Sequence, residues 1–179
     1  MATKRAVPAV QLTKLFRAAL IADGANPQVM LAAFADWKTD WPAWEDLDYY
    51  FGKDAFYTVP KRSNRSVVRQ VHMPPEDPAN WPASTSPLSS ASRKKIEAEL
   101  REWNRLWTIS ERQPGKPTSA RYRVSSRVLV YVDGGRHGYL LLHLGREPEG
   151  HDETTADICT MEMWADVAEA FIHDGTILI

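Results

Sequence analysis

One cysteine, Cys159, stands in a chain of 179 residues. A lone thiol closes no internal disulfide and supplies no thiolate zinc site. That excludes a disulfide-stapled secreted scaffold and makes a reducing, cytoplasmic compartment the expectation. Glycine is sparse as well, at nine residues. None of them builds a phosphate-cradling loop, and the chain has no His-Glu-x-x-His helix and no nucleophile elbow. Apolar runs stay far below the ~20 residues that cross a bilayer, so no membrane association is expected. The opening Met1-Ala2-Thr3-Lys4-Arg5, soon followed by Pro8, lacks the uninterrupted apolar stretch of a secretory signal. No internal repeat is present.

What remains is an ordinary globular composition, 44% hydrophobic and 25% charged, in a length suited to a single domain spanning 1–179. The formal net charge of −1 conceals a segregation. Residues 61–127 carry fourteen Lys and Arg against six acids, whereas residues 128–179 carry two Arg against ten acids. A basic middle segment beside an acidic end suggests one face for a polyanion, with the acidic element packing elsewhere. A near-neutral total is less usual for an RNA-directed protein than an overall basic one.

Hydrophobic periodicity predicts helices first and strands later. Residues 9–22 read as a first helix, with Leu12, Leu15, Phe16, Ala19 and Leu20 on one stripe and Asp23-Gly24 as its stop. Asn26-Pro27 caps and opens a second helix running to about Thr39, with Met30, Phe34 and Trp37 inward. Val67–Met73 has the β-branched content of a strand and ends at Pro74-Pro75. Ser92 caps the clearest helix pattern, 92–109, in which Ile96, Leu100, Trp103 and Trp107 share a face. Strands follow at about 120–125, 127–133 and 137–144, the last two joined through Gly134-Gly135 as a hairpin. Met161–Ile172 reads as a closing helix with Trp164, Ala168 and Phe171 inward, and Ile177–Ile179 as a short edge strand. Helices followed by an antiparallel meander amount to an α+β class.

Four pieces of sequence carry more than periodicity. They are the run Phe51-Gly52-Lys53-Asp54-Ala55-Phe56-Tyr57, the basic strand ending in Val71-His72-Met73, the passage from Val128–Tyr131 to Leu144–His151, and Ala168–Phe171. Their order and spacing resemble the YafO-type toxins of type II toxin–antitoxin pairs, in the RelE/ParE-like group. The resemblance implies a curved antiparallel sheet flanked by helices, with residues 76–120 as an insertion or expanded connector. It also implies a metal-independent mRNA endoribonuclease that acts on the ribosome (the large subunit), inhibits translation and is restrained by a cognate antitoxin. No cofactor and no metal are implied.

Metal-free RNA cleavage uses the RNA's own 2′-hydroxyl as nucleophile. It needs a base for that proton, an acid for the leaving 5′-oxygen, and cations around the phosphorane. Histidine suits proton transfer because it titrates near neutrality. Arginine suits the charge because its planar fork matches phosphate oxygens. By the resemblance, His72, Arg146 and His151 are the candidate catalytic residues, and the basic middle segment offers Arg65, Arg69 and Arg127 as candidate RNA contacts. Each has a bland alternative. His72 can simply close a strand before two prolines, and His151, beside Asp152 and Glu153, can be a solvated loop histidine. His143 reads as a core or sheet-face residue. The arginines can be the solvent face of strands, Lys53-Asp54 a structural ion pair, and most of the tryptophans packing, with Trp81 the exposed one. The rival reading of the chain is a non-catalytic RNA- or protein-binding module on the same scaffold, such as a mobile-element regulator.

Overall fold

In a computed structural model of the chain, which describes residues 8–39, 51, 54–57, 68–73, 127–147, 150 and 157–179, the first departure from the sequence pattern comes at Thr13. The stretch expected as one helix divides there into strand β1 (Val10–Leu12) and helix α1 (Lys14–Ala22). Main-chain pairing decides the matter. Val10, Gln11 and Leu12 run parallel to Tyr139, Leu140 and Leu141, satisfying backbone groups that a helix would have satisfied internally. Thr13 is fully buried and turns the chain, with its hydroxyl accepting from Phe16 N at 3.1 Å as an N-cap. Phe16 and Leu20 keep the inward positions expected of them, but Leu15 is 62% exposed.

Asn26 caps the second helix as anticipated, its Oδ1 accepting from Gln28 N at 3.0 Å, and α2 runs Pro27–Thr39. Strands β2 (Asp54–Phe56), β3 (Val68–His72), β4 (Val128–Asp133) and β5 (Tyr139–Gly145) form the antiparallel meander, and α3 (Ile158–Asp174) closes the chain. The sheet order is β1-β5-β4-β3-β2, an open, five-stranded sheet with helices on its faces. It is mixed rather than purely antiparallel, because β1 joins β5 in parallel. The C-terminal Ile177–Ile179 forms no strand. Ile177 and Ile179 pack instead beside α3, and the Ile179 carbonyl accepts from Lys14 N at 2.9 Å. The two edges of the sheet belong to β1 and β2.

Two apolar layers sandwich the sheet. Phe16, Leu20, Met30, Phe34, Phe51, Val71, Met73, Leu129, Tyr131 and Leu141 fill the side covered by α1 and α2. Tyr57, Val68, Val130, Val132, Leu140 and Leu142 fill the other, against Met161, Trp164, Val167, Ala168 and Phe171 of α3. A fully buried side chain of this kind contributes about 1.5–3 kcal/mol by leaving water. α3 starts at Asp157, whose Oδ1 accepts from Cys159 N, and ends at Gly175, held at φ 83° in the left-handed region. A register shift between Val130 and Tyr131 leaves Leu142 and His143 both on the α3 side, where the His143 ring lies 5.6 Å from that of Trp164.

The segment 76–120 with its expected 92–109 helix, the strand expected at 120–125, Trp81, Lys53, Arg65 and His151 all lie outside the described residues.

Candidate active site

Strand alternation sorts the candidate residues between the two faces. Along β3, Val71 lies in the α1/α2 layer and Val68 in the α3 layer. Arg69 therefore shares the α2 side with Val71, and His72 shares the α3 side with Val68. The cross-strand partners agree: Arg69 stands opposite Tyr131 and Phe56, His72 opposite Val128.

On the α2 side, four polar side chains from four elements meet. Arg69 donates from Nε to Asp54 Oδ1 at 3.2 Å and from Nη2 to Oδ2 at 2.6 Å, a two-pronged pair across adjacent strands. Its Nε also donates to the Tyr131 hydroxyl at 3.0 Å. Lys38, in the last turn of α2, donates to the same hydroxyl at 2.7 Å and lies 3.7 Å from Asp54 Oδ2. Lys38 sits over the rings of Trp37, Tyr131, Tyr139 and Phe34 at 3.7, 4.5, 5.2 and 5.5 Å from their centroids. These are cation–π distances, and they place the ammonium in a half-closed aromatic box. Asp54 gives its carboxylate to Arg69 and Lys38, while Lys53, its expected partner, lies outside the described residues.

This packing changes the acid–base chemistry. Burial, reinforced by the Arg69 charge and opposed mainly by Asp54, lowers Lys38 from 10.5 to about 8. Tyr131 is pushed far above the tyrosine range by burial, then by the charge of Asp54 and a hydrogen bond to it. Tyr139 moves up for the same first reason, with Asp133 next. For Arg69, burial works against the charge, but the hydrogen bond and attraction of Asp54, together with Tyr131, outweigh it and raise its pKa. The result is a lysine able to exchange a proton near physiological pH beside an arginine fixed in its charged form.

The motif run positions this cluster. Phe51, 2% exposed, packs edge-on to Phe34 and tilted on Trp37, with centroids 5.5 and 5.0 Å apart. Asp54 then enters the cluster, Phe56 lies over the Arg69 guanidinium at 3.9 Å, and Tyr57 turns to the α3 side against Trp164. Lys38 did not figure among the residues singled out from the sequence. Its signal was there, since Met30, Phe34 and Lys38 fall at i, i+4 and i+8, which puts the lysine on the buried stripe of α2.

The other candidates gather elsewhere. His72, 6% exposed, stands opposite Val128, which in turn stands opposite Gly145. Arg127 and Arg146 flank those two positions, so three of the residues share one end of the sheet. Arg127 is 8% exposed. Arg146 donates from Nη2 to Asp23 Oδ2 at 2.8 Å, at the end of α1. Gly150 lies so close to Gly145 that a Cβ on Gly145 would meet the Gly150 carbonyl oxygen at 2.5 Å. That brings the residue preceding His151 to the same sheet end.

No helix among the described residues is long and apolar enough to cross a membrane. No curated protein and no solved structure matches the chain. The family model of the toxin YafO, of type II toxin–antitoxin systems, matches residues 36–173, from the turn of α2 that carries Lys38 to the last turn of α3, and the chain belongs to that family.

Proposed function

We propose that this toxin is a metal-independent mRNA endoribonuclease that works on the ribosome, and that the Lys38–Asp54–Arg69–Tyr131 cluster is its catalytic centre. The observation that carries the reading is Lys38, held at about 8 within reach of a fixed arginine. In its neutral form Lys38 takes the proton of the RNA 2′-hydroxyl. The 2′-oxygen attacks the adjacent phosphorus, the bond to the 5′-oxygen breaks, and that oxygen takes its proton from solvent water, since His72 lies on the other face of the sheet. The products are a 2′,3′-cyclic phosphate and a 5′-hydroxyl. Arg69 holds the phosphorane's charge, and Tyr131 and Asp54 orient the two cations. The open sheet with helices on both faces is compatible with the RelE/ParE-like grouping. Membership in the family brings a cognate antitoxin as partner, and the ribosome and mRNA are the targets proposed with it.

A second set of residues has its own support. His72, Arg146 and the Gly150 neighbour of His151 share one sheet end. There the two histidines would exchange the protons and Arg146 would hold the phosphate.

One comparison separates the readings. The chain and its variants are induced in cells, and cleavage ends are mapped on ribosome-bound mRNA. Lys38→Met and Arg69→Gln are expected to relieve growth arrest and reduce cleavage at least a hundredfold, about 3 kcal/mol of transition-state stabilisation. Wild-type cleavage should rise with pH through an inflection near 8, the value of Lys38. Full activity in folded Lys38→Met with loss in His72→Ala moves the chemistry to the second set. A soluble wild type that neither arrests growth nor cuts RNA supports the binding-module rival.

A further inference from the structure

Phenylalanine occurs five times in this chain, and four of the five are at most 3% exposed. The fifth, Phe56, is 53% exposed, and it stands at the rim of the cationic cluster. Its position is fixed rather than incidental. Phe56 ends β2, the edge strand of the sheet, in register with Arg69, so the two side chains share the α2 side. One face of its ring covers the Arg69 guanidinium at 3.9 Å from carbon to centroid. The guanidinium in turn is clamped through Nε and Nη2 by Asp54, and among the described residues its Nη1 makes no hydrogen bond. A half-exposed ring seated over a cation is a poor use of an apolar residue in a monomer, but a ready platform for a second planar π-system.

We infer that Phe56, backed by Arg69, is a base-stacking subsite for one unpaired nucleotide of single-stranded RNA, adjacent to the phosphate bound in the cluster. The inference rests on the function proposed above and extends it from the phosphate to the base. Stacking on Phe56 leaves the Nη1 edge of Arg69 open to the neighbouring phosphate, so one arginine serves both ends of a nucleotide. A duplex cannot use the platform, because its bases present edges and not faces to a protein. The toxin therefore selects unpaired RNA at this position, with a preference for purines, whose larger rings cover more of the phenyl face.

The test uses the full chain and a non-cleavable probe, a 2′-O-methyl single-stranded oligonucleotide, with the matching duplex as control. Binding is read by fluorescence anisotropy for the wild type and for Phe56→Ala, Phe56→Leu, Phe56→Trp and Arg69→Gln. Phe56→Ala and Phe56→Leu are both expected to weaken single-strand binding, by about tenfold to a hundredfold. Phe56→Trp should match or exceed the wild type, and the Phe56 variants should leave the salt dependence as it was, because stacking releases no counterions. Phe56→Leu binding as tightly as the wild type would reduce the ring to an apolar cover and overturn the inference. Unchanged RNA binding by Phe56→Ala with a weakened antitoxin complex would assign the ring to protein docking, which also overturns it.

The two levels fail separately. Loss of cleavage in Lys38→Met and Arg69→Gln with no effect at Phe56 leaves the catalytic centre standing and removes the subsite. Weakened binding in Phe56→Leu with full cleavage in Lys38→Met keeps the platform and removes the catalytic assignment.

Discussion

Tyr131 is the residue on which the two cations of the cluster converge, since its hydroxyl accepts from Lys38 Nζ at 2.7 Å and Arg69 Nε at 3.0 Å. Tyr131→Phe keeps the buried ring and removes that acceptor. The expected loss is about 1–3 kcal/mol in urea unfolding, in the range for stranding a charged donor. Lys38 itself leaves a signature in the pH dependence of stability. Its folded value is about 8 against 10.5 for the free side chain, so between these values the unfolded chain binds more protons and stability rises with pH. Tyr131 acts oppositely above 10, where its unfolded form ionises and its folded form does not. The window for Lys38 is therefore pH 8 to 10. The unfolding free energy of the wild type minus that of Lys38→Met should climb between pH 7.5 and 9.5. A flat difference would mean that the ammonium is as well solvated folded as unfolded. Arg69 could be picked out from the sequence because a basic strand beside a motif draws attention. Lys38 was legible only as a position on the buried stripe of α2, where a lysine at the end of a helix ordinarily points to water. The rings contributed by β4 and β5, distant in sequence, complete the box around it.

At the scale of elements, periodicity found α2, β3, β4, β5 and α3, because each buries its own face at the expected spacing. It failed at β1. The residues Val10–Leu12 fit the stripe of the following helix equally well, and what makes them a strand is a partner more than a hundred positions away. That pairing hinges on Gly138, at φ 82°, where an added Cβ would meet the Ala9 carbonyl oxygen at 2.1 Å. The same oxygen accepts from Tyr139 N at 2.8 Å. Gly138→Ala should thus both strain the backbone and push β1 off β5. Gly135, at φ 59°, has nothing within 4 Å of its Cβ position. Gly135→Ala is expected to cost only the left-handed penalty, about 1–2 kcal/mol, and Gly138→Ala distinctly more. Urea unfolding of the two variants measures the difference, and hydrogen exchange at Tyr139 N and Thr13 N reports whether β1 detaches. Equal losses would show that β1 yields to the extra methyl at no cost.

Across the described residues, charge divides between the faces of the sheet. Glu162, Asp166 and Glu169 fall at i, i+4 and i+7 and are exposed on the outer side of α3. Lys38 and Arg69 lie on the opposite side of the strands, under α2. These three carboxylates thus sit across the sheet from the cluster, whereas Asp133, from the same acidic end, acts on Lys38 and Tyr139; a count of charges along the sequence does not tell the two apart. RNA should therefore approach from the α2 side only. In a salt series with single-stranded RNA, each phosphate contact contributes roughly 0.7 to the slope of log K against log salt. Arg69→Gln removes one contact and should flatten the slope by about that amount. Asp166→Asn with Glu169→Gln should leave both the slope and the affinity near wild type, because those carboxylates face away from the bound strand. Arg127, 8% exposed, is unsuited to the series, since replacing it disturbs packing as well as charge. A slope that changes with the α3 pair and not with Arg69 would place the RNA on the α3 side, beside His72, and move both the stacking platform and the lysine out of its path.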